Sequence, residues 1–289
     1  MKEHLALLRP HQYVKNAFLF LPAFFALKIT QWEVLATVSL AVLGFSMLAS
    51  SVYILNDYRD REDDRKHPRK KHRPLAAGTV SPRTAFLMMG ILLLSSLSIF
   101  FYLDLQAFCW VLGYWLMNIL YSQGLKHIPI LDISIIAMGF VIRVTVGGLV
   151  VDPHIEISMW IVLMTFLGAL FLALAKRRDD VLLAEEGNKV RKSIDGYNLE
   201  FINGAMMIMA SVLIVSYISY TISPDVQTKL QTSQLYITVL FVILGVLRYM
   251  QITFVEARSG SPTRILLGDR FIQLTLLGWI VAFAVLIYF

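Results

Sequence analysis

The chain has 289 residues, of which 57% are hydrophobic and only 16% are charged, and its mean hydropathy of +0.66 is typical of polytopic membrane proteins. The net charge of +6 lies in short segments between apolar runs, which argues against binding of nucleic acid. The single cysteine, Cys109, excludes a disulfide framework or a thiolate metal site within one chain.

Nine apolar stretches follow one another along the chain, and most reach the ~20 residues that a helix needs to cross a bilayer. They cover about residues 16–30, 34–55, 84–103, 105–121, 130–151, 157–175, 202–222, 233–250 and 268–289. The first is short and contains Pro22, which predicts a tilted, kinked or partly embedded segment. We therefore expect an all-α membrane protein with about nine transmembrane helices, forming a single integral domain over residues 1–289 and preceded by no cleavable signal peptide.

The distribution of lysine and arginine predicts the orientation of these helices. With the N-terminus in the cytoplasm, nine spans leave four loops on that side, at 56–83, 122–129, 176–201 and 251–267. All lysines and arginines except Lys28, Lys229 and Arg143 then lie on the cytoplasmic side or at its boundary, as the positive-inside rule requires. We expect a multi-pass protein of the inner (cytoplasmic) membrane whose chemistry takes place at the cytoplasmic face.

The segment 56–74, NDYRDREDDRKHPRKKHRP, carries five acidic and eight basic side chains between two apolar runs. Asp57, Asp60 and Asp64 are spaced i, i+3 and i+7, which puts the three carboxylates on one face of a helix. Carboxylates arranged in this way repel one another unless a cation lies among them. Oxygen ligands beside a polyanion are the usual setting of Mg²⁺, so the spacing predicts a magnesium site.

Two neighbours of the carboxylates extend this prediction. Asn56 can add an amide oxygen to a metal or bond to a phosphate, and the basic run 65–73 can bind phosphates directly. The segment therefore predicts a magnesium–diphosphate site at a membrane surface. The alternative is a solvated helix end that carries ordinary ion pairs.

A second polar loop begins with KRRDDVLLAEEG at Lys176 and continues to RKSIDGYN, which ends at Asn198. Lys176 and Asp180 are spaced i, i+4 and share a helix face, whereas Asp179 points about 100° away from Asp180. This loop contains acids and bases without a three-carboxylate stripe. A substrate-binding role and a solvated loop both stay open.

Arg143 lies in the middle of an apolar stretch, within FVIRVTVGG. Because an arginine facing lipid there is costly, it is expected to face a polar cavity or a partner such as Asp132. Snorkelling of the side chain to the interface is the alternative. Gly147 and Gly148 follow and would allow another helix to approach closely.

Four further polar residues lie at the ends of apolar stretches: Lys15, Asn16, Tyr121 and Lys126. Taken singly, each has the ordinary reading of an anchor at the membrane interface.

These residues together resemble the UbiA superfamily of intramembrane prenyltransferases. The resemblance rests on the NDxxDxxxD motif at Asn56, Asp57, Asp60 and Asp64, on the RPLAAG segment at 73–78, and on polar loops after the second and sixth of nine predicted helices. It covers nearly the whole chain. It implies a UbiA-like fold whose active site opens to the cytoplasm, with Mg²⁺ as the cofactor.

A closer likeness is to the branch of decaprenyl-phosphate phosphoribosyltransferases, through RPHQYVKN at 9–16, HPRKKHRPLAAG at 67–78, YSQGLKH at 121–127, and KRRDDVLL with RKSIDGYN. This likeness implies transfer of 5-phosphoribose from phosphoribosyl diphosphate (PRPP) to a polyprenyl phosphate, with release of diphosphate. The implied catalytic residues are Asp57, Asp60, Asp64, Lys126 and Arg143. The implied substrate-binding residues are Lys15, Asn56, Arg73, Tyr121, Lys176 and Asp180. The implied metal ligands are Asn56, Asp57, Asp60 and Asp64.

Two alternatives stay open. UbiA enzymes that prenylate aromatic acceptors such as 4-hydroxybenzoate usually carry a second DxxD motif, and this chain has Asp179 and Asp180 side by side instead. A transporter of anionic solutes tends to place ionisable groups near the middle of the membrane. Here Arg143 is the one basic residue well inside a predicted span, and the acidic groups cluster in the predicted cytoplasmic loops. The length of the polyprenyl chain and a homo-oligomeric assembly are left open as well.

Overall fold

A computed structural model describes residues 2–66, 70–151, 153–186 and 192–288, and the regular elements in these ranges are helices. Of the sequence segments quoted above, residues 67–69, Gly187 and Arg191 lie outside the described residues. The helices group into two compact units, residues 1–158 and 159–289. A single domain over the whole chain stays a prediction.

The first unit contains helices of very different length. The α-helices are α1 (Lys2–Leu8), α2 (Leu21–Phe25), α3 (Trp32–Arg59), α4 (Arg61–Lys66), α5 (Pro74–Ala77), α6 (Pro82–Leu103), α7 (Leu105–Gln123) and α8 (Leu131–Leu149). Short 3₁₀ helices cover Pro10–Phe20, Lys70–His72 and Leu125–His127. The long α3 packs along α6, and α7 packs against both α6 and α8.

The second unit is built on four long helices within its described residues. Its α-helices are α9 (Met159–Glu185), α10 (Leu199–Ile222), α11 (Pro224–Leu230), α12 (Val239–Phe254), α13 (Pro262–Gly268) and α14 (Arg270–Tyr288), with 3₁₀ helices at Lys192–Gly196 and Leu235–Thr238. The helix α9 packs on α10, and α12 packs on α14. Trp279 of α14 donates from Nε1 to the hydroxyl of Tyr217 in α10 at 2.6 Å.

Local sequence signals define where the long helices begin. Ser81 accepts a hydrogen bond from the backbone N–H of Thr84 at 3.1 Å, and Pro82 occupies the first helical position of α6. Asp104 ends α6 and caps α7 by accepting from the N–H of Ala107 at 2.6 Å. One residue thus joins two antiparallel helices, which keeps the turn between them short.

Seven helices among the described residues are long and apolar enough to cross a membrane. They are Trp32–Arg59, Pro82–Leu103, Leu131–Leu149, Met159–Glu185, Leu199–Ile222, Leu235–Phe254 and Arg270–Ile287. The first predicted stretch, 16–30, is instead a 3₁₀ helix followed by the five residues of α2. The fourth is the helix α7, whose apolar run is interrupted by Gln106 and Asn118. The predicted count of nine transmembrane helices is therefore not confirmed, whereas the predicted all-α class is confirmed.

The outer faces of the long helices are apolar. On α6, Leu87 and Leu94 are each about two-thirds exposed, and on α14 the same holds for Leu274. Such continuous apolar exposure would be unfavourable in water, and it is the surface that a bilayer covers. The chain is therefore a multi-pass membrane protein.

Two apolar clusters hold the first unit together and fix the position of its charged residues. The main core is built around Phe45, Phe100 and Tyr114 from α3, α6 and α7. A smaller cluster joins Leu7 of α1, Ile54 of α3 and Leu75 of α5. This smaller cluster brings the chain just after α1 and just before α5 to the end of α3, where the acidic motif begins.

Candidate active site

The acidic motif lies where α3 gives way to α4. The continuous helix expected over the motif is interrupted at Asp60, which has φ −86° and ψ 1°, although the backbone bonds from Asp60 to Asn56 and from Asp64 to Asp60 are kept at 2.9 and 2.8 Å. Asp57 and Asp64 are buried, with 2% and 3% of their surfaces exposed. Asp60, at the interruption, is about one-third exposed and points to a different partner.

One guanidinium group joins the two buried carboxylates. Arg73 donates from the same nitrogen, Nη1, to Asp57 Oδ1 at 3.1 Å and to Asp64 Oδ2 at 2.7 Å. Arg9 donates to the same oxygen of Asp57 from Nη2, and its guanidinium lies over the ring of Tyr53 at 5.1 Å. Asp57 and Asp64 therefore converge on positive charge that two arginines supply, whereas the spacing predicts a metal ion among three carboxylates.

The two remaining members of the motif bind groups from the end of α7 and the turn that follows. Lys126 donates to Asp60 Oδ1 at 2.5 Å, and the Ser122 hydroxyl donates to Asn56 Oδ1. The lysine is 9% exposed. These contacts bring Lys126 into the acidic cluster, although it is 66 residues from Asp60 in the sequence.

A cavity of about 130 Å³ lies in the first unit, and Tyr53, one turn before Asp57, forms part of its wall. Lys15, Tyr121 and Arg143 also line it, together with Tyr114. Three tyrosines and two cations around a small cavity provide hydrogen-bond donors for an anionic group. The cavity thus gathers three of the residues that the sequence assigned to substrate binding or catalysis.

Arg143 is buried and bonds only to neutral groups among its described partners. It donates from Nε to Asn16 Oδ1 at 2.9 Å, from Nη1 to the carbonyl of Gly139 at 2.6 Å and from Nη2 to the Tyr114 hydroxyl at 3.2 Å. The expected partner Asp132 is not among these groups. Because dipoles and aromatic faces stabilise this guanidinium without a carboxylate, its positive charge acts on the cavity through space.

The positive charge of Arg143 contributes to a lowered pKa of Lys15. Burial, together with the nearby guanidinium groups of Arg143 and Arg9, lowers the pKa of its ammonium group to about 8. An anion in the cavity would reverse these effects by stabilising the charged form. Lys15 is therefore suited to bind a phosphate group.

A close backbone contact positions the segment that carries Lys15. A side-chain atom added at Gly147 of α8 would collide with the backbone carbonyl of Leu19, in the 3₁₀ helix Pro10–Phe20. Only glycine allows α8 and this 3₁₀ helix to approach so closely. The glycine predicted to permit close helix approach does so here, beside the cavity.

The polar loop of the second unit forms a separate cluster at the end of α9. Arg177, which is 1% exposed, pairs with Asp180, whereas Lys176 is exposed. Arg178 is also buried and donates to Asn203 Oδ1 at 3.0 Å and to the carbonyl of Thr253 at 2.8 Å. The buried cations of this cluster are thus the two arginines that follow Lys176. A substrate-binding role for Lys176 and Asp180 stays a prediction.

Within the described residues, no three histidine, cysteine, aspartate or glutamate side chains come together as a set that could hold a metal ion. Arg73 contacts Asp57 and Asp64, whereas Asp60 contacts Lys126. The donor set nevertheless suits Mg²⁺, because Asp57 and Asp64 already converge on one cationic nitrogen and all the available donors are oxygens.

Sequence reasoning missed Arg9, Ser122 and Tyr114 as members of this site. Arg9 stands in the RPHQYVKN segment that carried the family resemblance, and that is the signal that could have drawn attention to it. Ser122 and Tyr114 gave no signal of their own, because a serine and a tyrosine in an apolar helix are ordinary. Their roles depend on which helix faces α3.

The fold and the site together define a class: membrane enzymes in which bundled helices hold acidic and basic side chains beside a small polar cavity. The sequence model of the UbiA prenyltransferase family matches residues 17–274, and the chain belongs to this family.

Curated relatives and solved structures agree with this assignment. The chain is 34% identical to a decaprenyl-phosphate phosphoribosyltransferase of Mycolicibacterium smegmatis, over 97% of this chain and 91% of the relative. It is 32% identical to the enzyme of the same name from Corynebacterium glutamicum, over 97% and 85% of the two chains. The fold is similar to that of a UbiA homolog from Archaeoglobus fulgidus bound to GPP and Mg²⁺, with a TM-score of 0.72 and 20% identity over 99% of this chain and 100% of that one.

Proposed function

We propose that this enzyme transfers 5-phosphoribose from PRPP to a polyprenyl phosphate and releases diphosphate. The observation that carries the proposal is the identity of 32–34%, over 97% of this chain, to decaprenyl-phosphate phosphoribosyltransferases. The first unit supplies the chemistry that such a reaction needs, since buried carboxylates, arginines and a lysine surround a small cavity.

The reaction exchanges one bond for another at the anomeric carbon of the ribose. An oxygen of the polyprenyl phosphate forms a bond to that carbon, and the bond from the carbon to the diphosphate oxygen breaks, with its electron pair leaving on the diphosphate. The attacking phosphate oxygen is anionic near neutral pH, so the step needs no strong general base. What the site must supply is stabilisation of the negative charge that grows on the leaving group.

Asn56, Asp57, Asp60 and Asp64 are the residues that would hold Mg²⁺. Bound there, the ion would neutralise charge on the departing diphosphate. Arg73 and Lys126 are already in contact with these carboxylates, and they would bind diphosphate oxygens as the negative charge develops.

The cavity residues would position the other phosphate groups. Lys15 and Arg143 supply positive charge, and Tyr121 supplies a hydroxyl, for either the 5-phosphate of the donor or the phosphate of the lipid. In the second unit, Lys176 and Asp180 are proposed to bind substrate at the end of α9. We place the N-terminus and the active site on the cytoplasmic side of the inner membrane, because the Lys and Arg bias supports that orientation.

Donor specificity tests this proposal. Purified enzyme with Mg²⁺ would be incubated with polyprenyl phosphate and radiolabelled PRPP and, in parallel, with a prenyl diphosphate and 4-hydroxybenzoate. Label that moves from PRPP into the lipid phase, and stops moving when EDTA is added, is the expected result. Transfer in the aromatic reaction alone would contradict the proposal and favour a prenyltransferase.

A further inference from the structure

The buried charges at the end of α3 balance without a metal ion. Asp57 and Asp64 contribute two negative charges, and the guanidinium groups of Arg9 and Arg73 contribute two positive ones. Both arginines contact the same oxygen of Asp57, and both keep about a quarter of their side-chain surface exposed. The arginines therefore stand at the open side of the pair, between the buried carboxylates and the surroundings.

The backbone of Arg9 is in an unfavourable conformation. Its φ of 52° and ψ of 57° lie in the left-handed region, which a non-glycine residue rarely adopts, and the following residue is Pro10, which favours extended geometry before it. Such a conformation persists only where the surrounding contacts impose it, and residues of this kind cluster at functional sites. For Arg9 those contacts are the buried Leu7 on one side and Asp57 with Tyr53 on the other.

We propose that Arg9 and Arg73 are exchangeable counter-ions, which neutralise Asp57 and Asp64 in the free enzyme and turn to the diphosphate when Mg²⁺ and diphosphate bind. The proposal rests on the function proposed above in taking a diphosphate as the ligand. It assigns to Arg9 a direct role in binding the leaving group.

Electrostatics makes the binding of metal and of diphosphate interdependent. A divalent cation that entered between Asp57 and Asp64 while both arginines stayed in place would leave two positive charges in excess. A diphosphate brings the negative charge to which both guanidinium groups can turn, and it thereby frees the carboxylates for the metal. Each ligand therefore strengthens the binding of the other, and by thermodynamic necessity to the same degree.

The test measures two affinities in the full-length protein in detergent. The first is the affinity for Mn²⁺ alone, from the electron paramagnetic resonance signal of the free ion. The second is the affinity for ³²P-labelled inorganic diphosphate at saturating Mn²⁺, from equilibrium dialysis. In Arg9→Met the two should move in opposite directions, Mn²⁺ binding tighter and diphosphate weaker, each by at least about fivefold.

Three further variants keep the result interpretable. Arg9→Lys retains the charge and should stay close to the wild type in both measurements. Arg73→Met should also bind Mn²⁺ more tightly and diphosphate more weakly, and it replaces Arg9→Met in the test if Arg9→Met does not fold. Arg61→Met removes an arginine that contacts Glu62 on its own helix and Tyr58 on α3, and it should change neither affinity.

Two outcomes would overturn the proposal. If Arg9→Met tightens Mn²⁺ binding and leaves diphosphate binding unchanged, Arg9 only neutralises Asp57. If Mn²⁺ binding does not change in either methionine variant, the arginines do not compete with the metal. Because neither measurement uses PRPP or polyprenyl phosphate, a failure of phosphoribosyl transfer is detected separately, by the donor assay.

Discussion

The carboxylates of Asp57 and Asp64 are buried, and a buried charge costs several kcal/mol unless a partner of opposite charge accompanies it. Arg73 contacts both, so the loss of one acid leaves the arginine paired with the other. This shared pairing means that a substitution of one carboxylate should act on the reaction more than on folding.

Replacement of Asp64 or Asp60 by asparagine tests the catalytic assignment. Either change should lower kcat by about a hundredfold or more, the scale for losing one group that stabilises transition-state charge. The change is nearly isosteric, so membrane insertion should stay intact. Steady-state kinetics in detergent would be compared with Asp63→Asn, an exposed neighbour, and with Lys28→Ala, both of which should be nearly silent. Normal turnover in one aspartate variant would remove that residue from the site.

The lowered pKa of Lys15 predicts a pH dependence. Because the pKa is about 8 in the free protein, the ammonium group is charged below that pH and loses its proton as the pH rises through it. Binding of a phosphate at Lys15 should therefore weaken above pH 8, and the KM of PRPP or of polyprenyl phosphate should rise.

The variant Lys15→Met should remove this dependence. Its KM should be higher at pH 7 and should stay level between pH 7 and 9, where the wild-type value climbs. If the KM values of the wild type and of Lys15→Met rise in parallel with pH, a group other than Lys15 titrates.

The sequence predicted part of this site, and the missing part has a physical cause. The i, i+7 spacing predicts that Asp57 and Asp64 share a helix face, because a nearly continuous helix relates them, and both contact Arg73. The magnesium site among the three carboxylates stays a prediction. The arginine that pairs with Asp57 from 48 residues away could not be predicted, since the packing of α1 determines that contact. For the same reason, the pairing of Asp60 with Lys126 followed only from the structure.

Short elements position the charged groups on the frame of long helices. The cluster of Leu7, Ile54 and Leu75 anchors α1 and α5 on α3, and Gly147 lets the 3₁₀ helix Pro10–Phe20 lie against α8. These elements are too short to be stable alone, so their positions depend on such contacts.

Gly147→Ala should separate the 3₁₀ helix Pro10–Phe20 from α8. The added methyl group would overlap a backbone carbonyl, which cannot rotate away, so the cost should be about 1–3 kcal/mol of stability. We expect a lower Tm in detergent and a higher KM, since Lys15 moves with the 3₁₀ helix. Gly113→Ala, at a helical glycine with open space around it, is the matched control and should be neutral or slightly stabilising. Equal Tm values for the two variants would contradict the close approach.

The apolar stretches of the sequence predict the long helices well, and they predict the polar ends of these helices less well. The stretch 84–103 corresponds to Pro82–Leu103, within two residues. The stretch 157–175 ended ten residues early, because α9 continues through its charged end to Glu185. Hydrophobicity marks what lies in the bilayer, whereas a helix can extend beyond it into water.

At the scale of the whole molecule, two compact units share one family match, which spans residues 17–274. Lysine and arginine are concentrated in the loops that the N-in orientation places in the cytoplasm. Phosphorylated substrates would be attracted to that side by the positive field.

Cysteine labelling tests the orientation. In a Cys109→Ser background, a membrane-impermeant maleimide should label Lys229→Cys in intact spheroplasts, and Lys71→Cys only after the membrane is opened. Both lysines are exposed, so access depends on the side of the membrane. The reverse pattern would invert the topology and place the acidic motif outside.

The most direct test of the central claim is to follow both halves of PRPP at once. PRPP labelled with ¹⁴C in the ribose and with ³²P in the terminal phosphate of the diphosphate would be incubated with polyprenyl phosphate, Mg²⁺ and purified enzyme. Phosphoribosyl transfer predicts ¹⁴C in the lipid and an equal amount of ³²P released as aqueous diphosphate, both absent in Asp57→Asn. Appearance of ³²P in the lipid, or ¹⁴C that stays entirely in water, would contradict it.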